Sequence, residues 1–258
     1  MKKLQTLCFL LLCVLFLCQC KTKKVALVSE STPAVELTND YQVYLLDSVL
    51  AAQAITTDGK DHFFDRVTLT EVAIQMKSQE LCQERSDCID VYKDFLKTDV
   101  ESFTEEEIAK VSTVFEELND LIFKVNPSLI DRDIHLIKTK GNHYGNGVFY
   151  TRENKIIIPQ DMLSNFMQGG FLETMLHEFF HIFSRYNEGS RNQLYELIGF
   201  KPVEGQIDYG EIGSRKLLNP DGTTDYYIEL ENGPAYPLIT ASEDQYIPSK
   251  PTFFNYLE

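Results

Sequence analysis

The spacing of apolar and polar residues divides the chain into a helical first half and a second half that mixes strands with helices. Apolar residues recur at helical spacing over residues 41–55, 68–82, 89–96 and 104–125. Thr104 and Glu107 form a capping box at the start of the last of these helices, which should end before Asn126-Pro127. These segments predict a mostly helical N-terminal half.

From residue 133 the period of the pattern changes. Alternating residues over 134–139 predict a strand, and residues 148–151 and 155–158 predict a hairpin that ends at Pro159. Helices are predicted over residues 160–167, 171–185 and 191–198, followed by hairpins and loops. The predicted fold class is α+β, with a small β-sheet placed directly before the helix at 171–185 and a single domain over residues 40–258.

The excess of acidic over basic residues argues against some classes of binding partner. The formal net charge is −15 at pH 7. Such a surface repels the phosphates of nucleic acids and the headgroups of anionic lipids, and most of the acidity is typical of a solvated, soluble surface. We therefore expect no nucleic-acid partner and a monomeric protein.

The first twenty residues have the pattern of a secretory signal. Lys2 and Lys3 precede an apolar run over residues 7–17 that is too short to span a membrane comfortably. A cysteine directly after such a run resembles a bacterial lipoprotein signal. Cys20 is the favoured lipidated residue because a polar run follows it; Cys18 and a plain cleaved signal are the alternatives. Residues 21–39 are polar and predict a flexible tether, so we expect an exported protein whose only membrane contact is a lipid anchor in a bacterial cell envelope.

Two cysteines remain beyond this signal. Cys82 and Cys88 flank a short polar segment, and an even pair in an exported protein favours a disulfide between them. Two free thiols are the alternative. No other cysteine or nearby histidine completes a set of zinc ligands with this pair.

The strongest chemical signal lies in the helix predicted at 171–185. Residues 174–183 read TMLHEFFHIF, with His-Glu-x-x-His at 177–181. On a helix His177 and His181 share one face, about 6 Å apart along the axis, so both imidazoles can reach one metal ion. Glu178 stands beside them, where it can take a proton from a water on that metal. The uncharged flanks predict a helix buried on every side except the metal face; an apolar core helix with two histidines is the alternative.

This helix resembles the active-site helix of the zincin metallopeptidases. The resemblance implies zinc bound by His177 and His181, Glu178 as the general base, and a third protein ligand from further along the chain. It also implies a substrate-pairing edge strand before the helix, at residues 148–152 or 155–158. Residues 150–159, residues 194–200 and Asn219-Pro220-Asp221 look like parts of a group of bacterial zinc metallopeptidases.

The sequence offers several candidates for the third zinc ligand. No histidine follows His181, which excludes the three-histidine class of these enzymes. Glu196, on the next predicted helix, is the best candidate within the chain. Less favoured are Glu204, Asp208 and Glu211, and residues 205–210 resemble the aspartate-ligand metallopeptidases only at a different spacing. The third ligand could also lie beyond the end of this chain, which would then lack a C-terminal piece, or the site could be degenerate.

These features together predict a zinc-dependent metallopeptidase that acts on a peptide or protein substrate. Stabilising the oxyanion requires a further group, and the candidates are Tyr150, Arg152, His143 and Tyr195. One competing hypothesis is a non-catalytic exported lipoprotein that keeps a zincin-like fold for binding, with an incomplete metal site. A second is a lipoprotein with an unrelated structural metal site.

Overall fold

A six-stranded mixed sheet with helices on both faces forms the centre of the protein. The computed structural model describes residues 33–80, 82–164, 170–205, 207–222 and 225–258. The strands of this sheet are β1 (Pro33–Glu36), β2 (Gln42–Leu45), β3 (Val100–Glu101), β4 (Ile134–Thr139), β5 (Tyr150–Arg152) and β6 (Lys155–Pro159). Their order is β1-β2-β4-β6-β5, and β3 pairs with the end of β4. The fold is α+β, as predicted.

The central strands β4 and β6 are parallel and almost wholly buried. An uninterrupted apolar run such as Ile156–Ile158 is typical of a strand covered on both faces. Ile137 and Ile157 point to one core, and Leu136, Ile156 and Ile158 to the other. The sheet therefore separates two hydrophobic cores.

Different helices cover the two faces. The first core contains residues of α1 (Ser48–Ile55), α2 (Phe63–Arg66), α3 (Leu69–Met76) and α4 (Arg85–Asp99). The second contains residues of α5 (Glu105–Val125), α6 (Gln160–Ser164) and α7 (Phe171–Tyr186). The last helix, α8 (Glu188–Leu197), follows α7 after a sharp turn at Asn187.

Most of the predicted helices are present, but residues 41–55 do not form one helix. The first part of that range is β2, which pairs in parallel with β4 at Ile134–Leu136. The helix begins only at Ser48, where the Asp47 side chain accepts hydrogen bonds from the Val49 and Leu50 amides. Tertiary pairing thus overrides a local pattern that alone favours a helix.

Regular secondary structure is present in a segment that the sequence analysis predicts to be a flexible tether. Strand β1 lies within the range predicted as a tether, and it pairs antiparallel with β2. The rest of that range up to residue 32 lies outside the described residues. So do residues 1–20, on which the signal and lipid-anchor predictions fall. No helix in the described ranges has the length and apolar character needed to cross a membrane.

The last part of the chain consists of short strands and loops, as predicted. Strands β7 (Phe200–Pro202), β9 (Tyr226–Leu230) and β10 (Gly233–Ala235) form a three-stranded sheet. Strands β8 (Lys216–Leu217) and β11 (Ile239–Thr240) form an antiparallel pair. Leu217, Leu218 and the 3-10 turn at Phe253–Tyr256 pack into the first core.

The predicted disulfide between Cys82 and Cys88 is wrong for this structure. Both cysteines are free thiols. Cys88 lies in the first turn of α4 and is buried, and its thiol donates to the Cys82 carbonyl at 3.4 Å. The thiol of Cys88 is thus hydrogen-bonded to the main chain of Cys82 and is not joined to its sulfur by a disulfide.

A buried carboxylate ties the first core to the loop after β8. Glu71 is fully buried; its Oε1 accepts hydrogen bonds from Tyr144 and Gln75, and its Oε2 accepts one from the Leu218 amide. Burial raises the pKa of Glu71 to about 7, and these three hydrogen bonds offset only part of that shift. The folded protein therefore holds a proton on Glu71 in a range where the unfolded chain has lost it.

We expect Glu71→Gln to flatten the pH dependence of stability. Because the pKa is raised in the folded state, the stability from this group is fully present below about pH 4.5 and is lost as pH rises through about 7. The wild-type free energy of unfolding, relative to the variant, should fall over that window by up to about 1.4 kcal/mol per pH unit.

Urea unfolding at several pH values between 4.5 and 8 measures this difference. Glu117→Gln, at an exposed position of α5, is the matched control and should follow the wild-type profile. Parallel profiles for wild type and Glu71→Gln would contradict the prediction.

Candidate metal centre

Helix α7 carries both histidines and the glutamate of the sequence motif. It starts after Gly170, whose φ of 87° suits glycine, and it buries Phe171, Met175, Phe179 and Ile182 in the second core. The exposed positions of α7 are Glu173, His177 and Phe180, and they lie on the stripe that carries the two histidines. The opposite stripe packs on the sheet, so the helix is exposed only on the side of the histidines, as the uncharged flanks predict.

The two histidines meet as their spacing predicts. The Nε2 atoms of His177 and His181 lie 2.9 Å apart, and the rings are edge to face. Burial, together with the neighbouring His177 and Arg185, lowers the pKa of His181 to about 4. His181 is therefore neutral at physiological pH, which is the form that can ligate a metal.

Glu178 lies beside the pair in a buried environment. Glu178 is 4 % exposed, and its Oε2 has no hydrogen-bond partner. The buried Nδ1 of His181 also lacks a partner. Burial raises the pKa of Glu178 to about 8; Asp221 adds to the shift, and Arg185 opposes it. Unpaired buried polar atoms are costly, so this cluster calls for a further partner.

Asp221 is the residue that the sequence pattern did not assign to this site. Glu178, His181 and Asp221 each offer a ligand atom within 4.8 Å of the other two. Burial raises the pKa of Asp221, while Thr151, Arg185 and His177 counteract the shift. The signal for it was the Asn219-Pro220-Asp221 turn, which contributed only to the family resemblance.

The loop of Asp221 is fixed to the edge of the sheet. The Thr151 amide and hydroxyl both donate to Asp221 Oδ1, the hydroxyl at 3.1 Å. The Asp221 amide in turn donates to the side-chain oxygen of Asn219 at 3.0 Å. The side chain of Asn219 therefore stabilises the turn that begins at this residue. Both bonds from Thr151 use one carboxylate oxygen, so the other oxygen of Asp221 is left to face a different partner.

Arg185, one turn after His181, holds the same loop from the helix. Its Nη2 donates to the carbonyls of Pro220 and Asp221 at 2.8 and 3.2 Å. Its Nη1 donates to the Glu153 carbonyl, and its Nε forms an ion pair with Asp61 at 2.9 Å. One side chain thus joins α7, the β5–β6 hairpin and the Asp221 loop.

The predicted third ligand, Glu196, is exposed on α8 and lies outside the group of possible metal ligands that contains His181. The structure instead groups Asp221 with Glu178 and His181. The less favoured candidates Glu204, Asp208 and Glu211 are also exposed. Asp221 rather than Glu196 thus lies in this group; Arg191 is the one buried residue of α8, and Glu196 is exposed together with Leu194 and Leu197.

The predicted oxyanion stabilisers are engaged elsewhere. His143 is buried; its Nδ1 bonds to Asp99, and its Nε2 accepts from the Tyr150 hydroxyl at 2.8 Å. Arg152 is buried against Phe63 and Phe64, and it donates to main-chain carbonyls at the end of α1.

Tyr195, the fourth candidate, packs its ring on Tyr226, with the ring centroids 4.7 Å apart. The described contacts of all four residues therefore serve the core or the three-stranded sheet rather than the metal group.

Of the two predicted substrate-pairing strands, only one is an edge. Strand β6 lies between β4 and β5, whereas β5 is terminal in the sheet and antiparallel to β6. The outward main-chain groups of Thr151 already bond to Asp221 and Arg185. An extended ligand could therefore pair with this edge only ahead of Thr151.

Comparison of the chain with models of known protein families, with curated proteins and with solved structures finds no match.

Proposed function

We propose that this protein is a zinc-dependent metallopeptidase that hydrolyses peptide bonds. The observation that carries the proposal is one cluster at the edge of the sheet. His181, a buried glutamate with an unpaired oxygen and an aspartate on a fixed loop offer ligand atoms within 4.8 Å of one another, and His177 adjoins them with its Nε2 2.9 Å from that of His181. Perturbed carboxylates grouped with metal-ligating side chains are typical of functional sites.

The donor set suits zinc. Imidazole nitrogens and a carboxylate oxygen are its common ligands in catalytic sites, and zinc bonds to nitrogen of about 2.0–2.1 Å allow two Nε2 atoms this close on one ion. We assign His177, His181 and Asp221 as the ligands. The unpaired buried Oε2 of Glu178 supports this assignment, because a water on the bound ion would supply its polar partner.

Bound zinc would lower the pKa of a water and polarise the carbonyl of the scissile bond. Glu178 would act as the general base that accepts a proton from the attacking water and then as the acid that protonates the leaving amine. Its pKa of about 8 suits a group that both accepts and donates near neutral pH, and a nearby cation would favour the ionised form that accepts. Thr151 and Arg185 hold the Asp221 loop, so the third ligand needs little reorganisation.

We also propose that the protein is exported and anchored through a lipid at Cys20, on the grounds of its first twenty residues. Peptides outside the cytoplasm would then be its substrates.

The ligand assignment predicts which variants lose zinc. The purified protein should hold about one zinc per chain. His177→Ala and Asp221→Asn should each weaken binding by more than the about 10–100-fold that changes outside the ligand shell cause. The asparagine keeps an oxygen that can accept from Thr151, so the loop should stay in place while the ligand charge is lost.

Glu196→Ala is the control, because Glu196 is exposed and outside the cluster. Metal analysis together with competition against a chromogenic chelator gives the affinities. If Glu196→Ala loses zinc while Asp221→Asn keeps it, the assignment of Asp221 is wrong.

The proposed role of Glu178 predicts a variant that binds zinc like the wild type but cleaves peptides far more slowly. Glu178→Gln should keep zinc and lose about 10²–10⁴-fold in the cleavage rate of a quenched-fluorescent peptide mixture, because the amide cannot accept the proton. Wild-type-like turnover in this variant would disprove the mechanism. Tight zinc binding with no cleavage by the wild-type protein would favour the non-catalytic lipoprotein instead.

A further inference from the structure

An apolar cavity of about 220 Å³ opens beside the candidate metal centre. Its walls come from the edge of the sheet, the loop after β8 and the last residues of the chain; they include Phe149, Leu218, Ile239, Phe253, Phe254 and Leu257. No lysine, arginine or histidine lies among the described residues of its lining. The cavity therefore has no group that could neutralise an acidic ligand.

The polar end of the cavity is the metal centre itself. Asp221 forms part of the cavity wall, and the same residue lies within 4.8 Å of Glu178 and His181. Asn219 and Pro220, which complete the turn before Asp221, also line it. A ligand whose polar main chain lies at Glu178 and His181 can therefore place a side chain in this cavity.

The rim of the cavity is unusually apolar for a solvent-facing surface. Ile239, Phe254 and Leu257 are 37, 54 and 43 % exposed, and all three line the same opening. Single exposed apolar residues are ordinary, but a contiguous set around a concave site marks a place where a ligand is bound. The volume is below the about 300 Å³ at which small-molecule sites usually begin, so it suits one side chain.

A second cavity of about 310 Å³ lies on the other side of residues 218–220, and its character is different. It is lined by charged residues, among them Arg152, Arg185 and Arg191. The guanidinium groups of all three donate to main-chain carbonyls, and all three also form ion pairs with acidic side chains. An apolar side chain would gain nothing there, so the two cavities are not equivalent for a substrate.

We propose that the apolar cavity is a specificity pocket that takes one bulky apolar side chain, of the leucine or phenylalanine class, next to the bond to be cleaved. This assignment rests on the proposed peptidase function. Aspartate or glutamate at that position is rejected because no cation in the described lining compensates the burial of its charge. Glycine is disfavoured because it leaves the apolar walls in contact with water.

The absence of tryptophan from the chain makes this pocket directly observable. The probe is N-acetyl-tryptophanamide, whose fluorescence is then the only indole emission in the sample. Titration with the purified protein should shift this emission to shorter wavelength as the indole leaves water. N-acetyl-leucinamide should displace the probe at a concentration at least about tenfold lower than N-acetyl-glycinamide does.

Two variants test the location of the pocket. Ile239→Asp places a charge at the rim and should abolish the emission shift, while Phe254→Ala, at a more exposed position, should weaken probe binding several-fold. Leu230→Asp is the matched control, since Leu230 is 53 % exposed on β9 and outside the cavity; it should bind the probe like wild type. An unshifted emission in wild type, or wild-type binding by both rim variants, would overturn the proposal.

The same titration is made with zinc-loaded and with chelator-treated protein, so it does not depend on turnover. Cleavage of paired peptides that carry leucine, glycine or aspartate at one position completes the test. If the peptides are cleaved without preference for leucine, the proposed specificity pocket is wrong and the proposed peptidase function is retained. If the probe binds at the rim but no peptide is cleaved, the cavity is an apolar binding site, and the proposal that it lies beside a scissile bond is wrong.

Discussion

The carboxylate of Asp221 and its anchoring to Thr151 form the interaction on which the candidate site depends. A loop that lies far along the chain from the helix is held against the edge of the sheet by two donors of one residue. Arg185 reaches the carbonyls of the same loop from α7, and its own charge is balanced by Asp61. The guanidinium group of Arg185 thus joins the helix to both the strand and the loop.

This arrangement explains how the fold tolerates two buried carboxyl groups so close together. Burial raises the pKa of both Glu178 and Asp221, so each favours its neutral form. His181 is also held neutral. Arg185 faces these groups as a cation and stabilises the ionised forms of the two acids. A divalent cation would reverse the balance, since it favours ionised carboxylates and neutral imidazoles alike.

The parts of this structure that follow from local signals could be predicted from the sequence. Thr104 and Glu107 form the expected capping box, and the hairpin of β5 and β6 lies where the turn residues place it. The register of His177 and His181 follows from helix geometry alone. Each of these depends on residues only a few positions apart, where spacing fixes the contact.

The parts that the sequence did not predict depend on contacts between distant residues. Strand β2 carries a helical pattern and becomes a strand only because β4 offers a partner about ninety residues later. Asp221 reaches Thr151 across a separation of 70 residues, whereas Glu196 is favoured by the sequence only because it is near the motif. Cys82 and Cys88 have a spacing that permits a disulfide, yet the buried thiol of Cys88 bonds to a carbonyl instead. Spacing alone cannot predict which of several nearby partners a group will choose.

The outward groups of Thr151 have one more consequence, which concerns how the protein avoids associating with itself. A terminal strand with free main-chain donors and acceptors is a template on which another chain can add a strand. Strand β5 has three residues, and the middle one gives its amide to Asp221 and its carbonyl to Arg185. The bonds that fix the Asp221 loop thus also close this border of the sheet, so a change that frees the loop would expose an aggregation-prone edge together with the site.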